Sequence, residues 1–131
     1  MPASLLSFSP AVLLAVALGG SIGALLRYFI SVWSLQRFGE AFPWGTLAVN
    51  LIGSLLIGLL VGWIASKNLG EIWRSFLMVG LLGSLTTFST FSLELLSFFQ
   101  RGEFITGGIY LFASIVFGIG LAYLGYSFTV Q

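Results

Sequence analysis

The sequence predicts an all-α integral membrane protein with four transmembrane helices, the third of them broken near its middle. Of its 131 residues, 58% are hydrophobic and 7% are charged, whereas a soluble domain normally carries about a quarter charged residues. Four charge-poor windows are each long enough to cross ~30 Å of hydrocarbon, which needs about 20 helical residues. A hydroxyl-rich run inside the third window predicts the break.

The whole chain, 1–131, is expected to form one domain, with short loops that make successive helices antiparallel. The predicted spans cover about 9–33, 44–66, 74–100 and 104–128. Ala15-Val16-Ala17 resembles a signal-peptide cleavage site, but no Lys or Arg precedes it, so we expect the first span to be retained. Each Trp falls at a predicted span end, as in the aromatic belt of a membrane–water interface: Trp33, Trp44, Trp63 and Trp73.

The composition excludes several classes of function. A net charge of +1 provides no basic patch, so nucleic acid is not an expected partner. The chain contains no His or Cys, and no predicted span holds a pair of carboxylates for acid–base chemistry. We therefore expect that the protein is not an enzyme.

The basic residues hardly distinguish the two sides of the membrane. One side holds Lys67 and Arg74, and the other holds Arg37 and Arg101, with Arg27 near the end of the first span. Because the two sides differ so little in their number of basic residues, the positive-inside rule predicts no clear orientation and two interpretations stay open. Another determinant sets the orientation, or the chain inserts both ways round and pairs as an antiparallel dimer.

Small residues recur at four-residue spacing, which lets transmembrane backbones approach closely. We interpret these stripes as ordinary packing surfaces of the bundle. They comprise Gly19 and Gly23 in the first span, Ser54, Gly58 and Gly62 in the second, and Ser114, Gly118 and Ala122 in the fourth.

The third span carries the most unusual segment, since six of the nine residues from Ser84 to Ser92 have hydroxyls. Gly83 to Thr87 is a weak helix former, because Ser and Thr compete for local backbone hydrogen bonds. An unwound turn here would free carbonyl oxygens, which can hold a hard cation such as Na⁺. Irregular backbone at this depth must be buried in protein or line a cavity.

Phe88 and Phe91 share one helical face within this segment, among Thr87, Ser89 and Thr90. Aromatic ring edges are electropositive. Together with hydroxyl and amide donors, they form an environment suited to a small, dehydrated anion. Glu94 lies one turn beyond Phe91, which is compatible with a place at a pore mouth.

Polar side chains in the other spans are further candidates. Asn50 shares a face with Thr46 and Ser54, and its amide either bonds a neighbouring helix or serves the site. Tyr110 and Ser114 form a short hydroxyl track, with packing and function both open. Arg27 either extends to the interface or has a functional role.

Three segments carry a resemblance to the Fluc (CrcB) family of bacterial fluoride channels. They are GSIGALLRY at 20–28, GTLAVNLIG at 45–53 and, most specifically, GSLTTFSTFS at 83–92. The resemblance implies a dual-topology antiparallel homodimer in the bacterial inner membrane that exports fluoride passively and lowers its cytoplasmic concentration.

The resemblance also implies roles for individual residues. An anion path would be lined by Asn50, Phe88 and Phe91, continued by Tyr110 and Ser114, with Thr87, Thr90 and Glu94 nearby. A structural Na⁺ at the dimer interface would be held by the backbone carbonyls of Gly83 and Thr86 in both subunits. A third track position, often Ser in that family, falls on Gly118 here, which weakens any expectation of an unbroken hydroxyl ladder.

Two other functions remain as alternatives at this point. A small dual-topology proton-coupled multidrug exporter can have the same architecture, but it needs a central carboxylate, and the first span has none. A purely structural membrane subunit would need its polar residues for stability but not for transport.

Overall fold

A computed structural model describes residues 8–130 and contains four helical segments long and apolar enough to cross a membrane. These are Pro10–Phe38, Trp44–Lys67, Glu71–Gln100 and Phe104–Thr129. The prediction of an all-helical, four-span chain with an interrupted third span is thereby confirmed. Residues 1–7, at the start of the segment expected to be retained, lie outside the described residues.

The first helix begins with a capping side chain, and the first two helices both end at a residue with positive φ. In α1 (Pro10–Phe38), Ser9 accepts a hydrogen bond from the Val12 N–H at 3.2 Å and Pro10 takes the first helical position. After α1, Gly39 has φ +77°, a value that suits glycine. α2 (Trp44–Lys67) ends at Asn68 in the left-handed conformation.

The third span consists of two helices separated by two extended residues. α3 (71–85) contains α-helical Glu71–Arg74, π-helical Ser75–Leu82 and a final α-turn, Gly83–Leu85. Thr86 and Thr87 are extended, and α4 (Phe88–Gln100) resumes the span. After a turn with Gly102 at φ +74°, α5 (Phe104–Thr129) completes the bundle.

Glycines bring the helix backbones into direct contact. A Cβ on Gly23 of α1 would overlap the Leu81 carbonyl oxygen of α3, and one on Gly58 of α2 would overlap the Ala122 carbonyl oxygen of α5. α1 therefore packs closely on α3, and α2 on α5. The packing interpretation of these glycines is confirmed.

Two small clusters form the interior. One contains Val49, Leu82 and Leu85, and the other contains Phe91, Phe98 and Tyr110. Most of the remaining apolar side chains face outward, since at most 22% of the residues in each spanning window are buried. An apolar exterior of this kind is what contact with lipid requires. The four Trp side chains are all exposed on this exterior.

Candidate functional site

The interruption of the third span occurs at Thr86 and Thr87, where both residues have extended backbone. The Thr86 hydroxyl donates to the Leu82 carbonyl at 3.0 Å. The Thr87 hydroxyl accepts the Thr90 N–H at 3.2 Å and so caps α4. The expectation that unwinding begins at Gly83 is wrong, because Gly83–Leu85 is helical and the threonine side chains end one helix and start the next.

Asn50 holds the broken segment in place from α2. Its Nδ2 donates to the Thr87 carbonyl at 3.0 Å, and its Oδ1 accepts the Thr87 N–H at 2.8 Å. Asn50 Oδ1 supplies the partner that the Thr87 N–H would have had in a continuous helix, and Nδ2 adds a donor to the carbonyl at which α4 begins. One N–H of the Asn50 amide has no protein partner within residues 8–130, so it remains available to a ligand.

The same hydrogen bonds change the partners of two backbone carbonyls. In a continuous α-helix, the Thr87 N–H would donate to Gly83 and the Thr90 N–H to Thr86. Here they donate to Asn50 Oδ1 and Thr87 Oγ1 instead. The carbonyls of Gly83 and Thr86 thus lose their helical donors, and both residues line the same cavity.

That cavity, which we term the break cavity, has a volume of about 420 Å³ and opens to the outside of the chain. Its walls come from α2, α3, α4 and α5. Its polar lining combines amide, hydroxyl and backbone groups with two aromatic rings: Asn50, Ser54, Gly83, Thr86, Thr87, Phe88, Phe91 and Ser114. The Ser114 Oγ is buried without a hydrogen-bond partner among the described residues, so this donor is available to a bound group.

The two phenylalanines of α4 lie side by side but differ in exposure. Their ring centroids are 5.9 Å apart. Phe91 is 7% exposed and its ring packs 5.1 Å from that of Tyr110, whereas Phe88 is 79% exposed at the open side of the cavity. Of these two rings, only that of Phe91 is buried within the chain.

Glu94 lies between hydroxyls from two other helices. Thr46 Oγ1 donates to its Oε1 at 2.7 Å, and the Tyr110 hydroxyl donates to its Oε2 at 2.7 Å. Short bonds of this length are typical of a hydroxyl donating to a carboxylate. The three side chains link α2, α4 and α5.

A second cavity, the loop cavity, lies beside the 39–43 connection and has a volume of about 330 Å³. Thr46 and Glu94 line it, whereas Asn50, Thr87 and Phe91 line the break cavity. Along α2 and α4, the residues that line the loop cavity are therefore about one turn from those that line the break cavity. Other polar residues of the loop cavity are Ser31, Ser34, Glu40, Ser97 and Arg101.

The structure brings most of the expected site residues together. Thr90 contacts the Thr87 hydroxyl at 3.1 Å but is not among the residues lining either cavity. Sequence spacing alone did not pair Thr46 with Glu94, 48 residues away. It also gave no role to Phe42, whose ring meets Tyr110 edge-on at 5.4 Å. The shared face of Thr46 and Asn50 was the only signal that pointed to Thr46.

Comparisons with known proteins place this architecture in a family. The family described as "CrcB-like protein, Camphor Resistance (CrcB)" matches residues 14–126. A protein of Rhizobium etli named fluoride-specific ion channel FluC is 47% identical over 113 residues, which cover 86% of this chain and 90% of that protein.

Two further relatives carry the same name. One from Agrobacterium fabrum is 49% identical over 84% of this chain and 89% of its own length. One from Xylella fastidiosa is 47% identical over 86% of this chain and 80% of its own length. With the family match spanning nearly all of the four helices, the chain belongs to the CrcB family.

Proposed function

We propose that this chain forms a fluoride-selective channel, not an enzyme, and that it exports fluoride passively across the bacterial inner membrane and so lowers cytoplasmic fluoride. The relatives named fluoride-specific ion channels support the choice of ion. The observation that carries the proposal is the break cavity. There, free donors and aromatic rings meet at an interruption of a membrane helix.

Fluoride is small and strongly hydrated, so a selective path must replace its water with protein donors. The second N–H of Asn50 and the hydroxyl of Ser114 are available for this purpose. The edges of Phe88 and Phe91 add partial positive charge without a competing counter-ion. Neutral donors suit conduction, because binding must be weak enough for the ion to leave.

Tyr110, Thr46 and Glu94 lie next along the proposed path. The hydroxyls of Thr46 and Tyr110 donate to the Glu94 carboxylate in this structure. The carboxylate itself would repel an anion. When Glu94 turns aside, these hydroxyls become donors for fluoride between the two cavities. Thr87 and Thr90 act indirectly, because their hydroxyls hold the start of α4.

The proposed assembly is an antiparallel homodimer with dual topology in the inner membrane. Three observations support it: the nearly even distribution of basic residues, the open side of the break cavity, and the exposed ring of Phe88 at that opening. A second copy would cover Phe88 and the apolar surface around it.

Topology is testable with a single reporter thiol, since the chain has no cysteine. Gly70→Cys suits this purpose, because Gly70 has open space around it in the 68–70 loop. In intact cells, a membrane-impermeant maleimide should label about half of the molecules, because neither orientation is favoured. Labelling of all or none before permeabilisation would contradict dual topology.

We also propose a structural Na⁺ at the break. The carbonyls of Gly83 and Thr86 are hard oxygen ligands that have lost their helical donors, and two copies would contribute four. The ion would supply positive charge that stabilises the interface between subunits. We expect a higher unfolding temperature of the purified dimer in Na⁺ than in N-methylglucamine. Equal unfolding temperatures would contradict the assignment.

Fluoride selectivity is tested with purified protein in liposomes, with efflux followed by ion-selective electrodes. We expect rapid fluoride efflux and no chloride efflux above that of protein-free vesicles. Equal rates for the two halides would contradict selectivity, and no flux of either would contradict channel activity.

A further inference from the structure

Only one hydroxyl of α5, that of Ser114, lines the break cavity. Tyr110 and Ser114 are one turn apart, and the next turn brings Gly118, which has no side chain. Any donor needed beyond Ser114 must therefore come from another helix.

Ser54 of α2 occupies the space next to this glycine. A Cβ built on Gly118 would lie 3.6 Å from the Ser54 Oγ, so the two positions face each other across the α2–α5 contact. Ser54 also lines the break cavity with Asn50, which is one turn earlier on the same helix, and with Ser114 on α5.

The Ser54 hydroxyl is not engaged by its own helix. The hydroxyls of Ser21, Ser92 and Ser97 each donate to the carbonyl four residues earlier, at 2.8–2.9 Å. This is the usual way for a serine to satisfy its hydroxyl inside a helix. Within residues 8–130, the Ser54 Oγ has no such bond and no other protein partner, so it is free to donate into the cavity.

We propose that Ser54 is an additional fluoride-contacting residue, whose hydroxyl supplies from α2 the donor that Gly118 cannot supply from α5. This inference rests on the proposed fluoride path and adds a ligand group to it. The path then runs between α2 and α5, with Asn50 and Ser54 on one wall and Ser114 on the other.

The test compares fluoride efflux from liposomes containing the wild type, Ser54→Ala and the double variant Ser54→Ala/Gly118→Ser. Loss of a hydrogen bond to an ion should slow efflux by about tenfold in Ser54→Ala. Gly118→Ser should restore much of that rate, because its hydroxyl reaches the same space from the facing helix. The matched control is Ser66→Ala on α2, whose exposed hydroxyl bonds the Trp63 carbonyl; it should conduct as the wild type does.

The possible results distinguish a failure of the Ser54 inference from a failure of the channel proposal. Wild-type efflux from Ser54→Ala, or a loss that Gly118→Ser does not reverse at all, overturns the role of Ser54 while the channel proposal stands. Wild-type vesicles that pass no fluoride overturn the channel proposal and this inference with it. All variants are compared at equal amounts of monodisperse protein, so a change in yield cannot imitate a change in conduction.

Discussion

α2 contacts α5 and α4 by contrasting means. The contact with α5 is a close approach of the two backbones, because Gly58 and Gly125 have no side chains and each lies against a carbonyl group of the other helix. Against α4 it uses polar side chains, through Asn50 to Thr87 and Thr46 to Glu94. The first contact is steric and the second is hydrogen-bonded.

This contrast between a steric and a hydrogen-bonded contact distinguishes the part of the molecule that maintains the fold from the part that forms the candidate site. Two backbones in contact cannot relieve an overlap by rotating a side chain, so the α2–α5 contact has one arrangement. Hydrogen bonds can exchange partners, including for a small anion, while the helices stay where they are. Substitutions at Gly58 and Gly125 should therefore affect folding, whereas substitutions of the polar residues at the second contact should affect conduction.

The largest effect is expected at the glycine contact. Gly58→Ala places a methyl group against the Ala122 carbonyl, and overpacking of this kind costs about 1–3 kcal/mol of unfolding free energy. We expect a lower unfolding temperature and a smaller monodisperse fraction in detergent. Gly120→Ala is the matched control, because nothing lies within 4 Å of its added Cβ. Equal stability of the two variants would contradict the close contact.

Replacement of the phenylalanines should separate conduction from folding. Phe88→Ile and Phe91→Ile keep apolar bulk but remove the polarised ring edges, so fluoride efflux should fall about tenfold in each. Phe91→Ile should also lower the unfolding temperature, because Phe91 is buried against Tyr110 within the subunit. Unchanged efflux in both would remove the rings from the path.

Substitutions in the Thr46–Glu94–Tyr110 cluster should slow fluoride efflux less than substitutions of the phenylalanines. Tyr110→Phe keeps the buried ring and removes one hydroxyl that donates to Glu94, at a cost of about 1 kcal/mol, or about fivefold in efflux. Efflux equal to that of the wild type, measured with the same electrode, would place this hydroxyl outside the path.

Thr46→Val should have the smallest effect. It preserves the shape of the side chain and removes the other donor to Glu94, while Tyr110 still holds the carboxylate. We expect a two- to threefold slower efflux, about 0.5 kcal/mol, with no change in unfolding temperature. A loss as large as that in Phe91→Ile would mean that Thr46 contacts the ion directly.

Sequence reasoning was most successful where the determinants are local. Hydropathy and loop charge predicted the four helices, and the hydroxyl-rich run from Ser84 to Ser92 predicted an interruption in the third. The exact location of the break depends on Asn50, which bonds Thr87 across 37 residues, and local propensity at Gly83 could not reveal this.

The remaining features depend on tertiary contacts. The π-helical segment Ser75–Leu82 packs against Gly19 and Gly23 of α1, where the absence of a side chain leaves room for its backbone carbonyls. Glu94 finds its partners 48 and 16 residues away. Spacing along one helix indicates which side chains share a face, but not which face of another helix they meet.

Fluoride efflux from Asn50→Ala protein, compared with the wild type, shows directly whether the clamped break conducts the ion. This substitution removes the donors to the proposed path and the clamp on Thr87, but it leaves every glycine contact in place. We expect monodisperse, helical protein whose efflux is slower by at least about tenfold. Folded Asn50→Ala protein that conducts fluoride at the wild-type rate would contradict the claim that the clamped break is the conducting site.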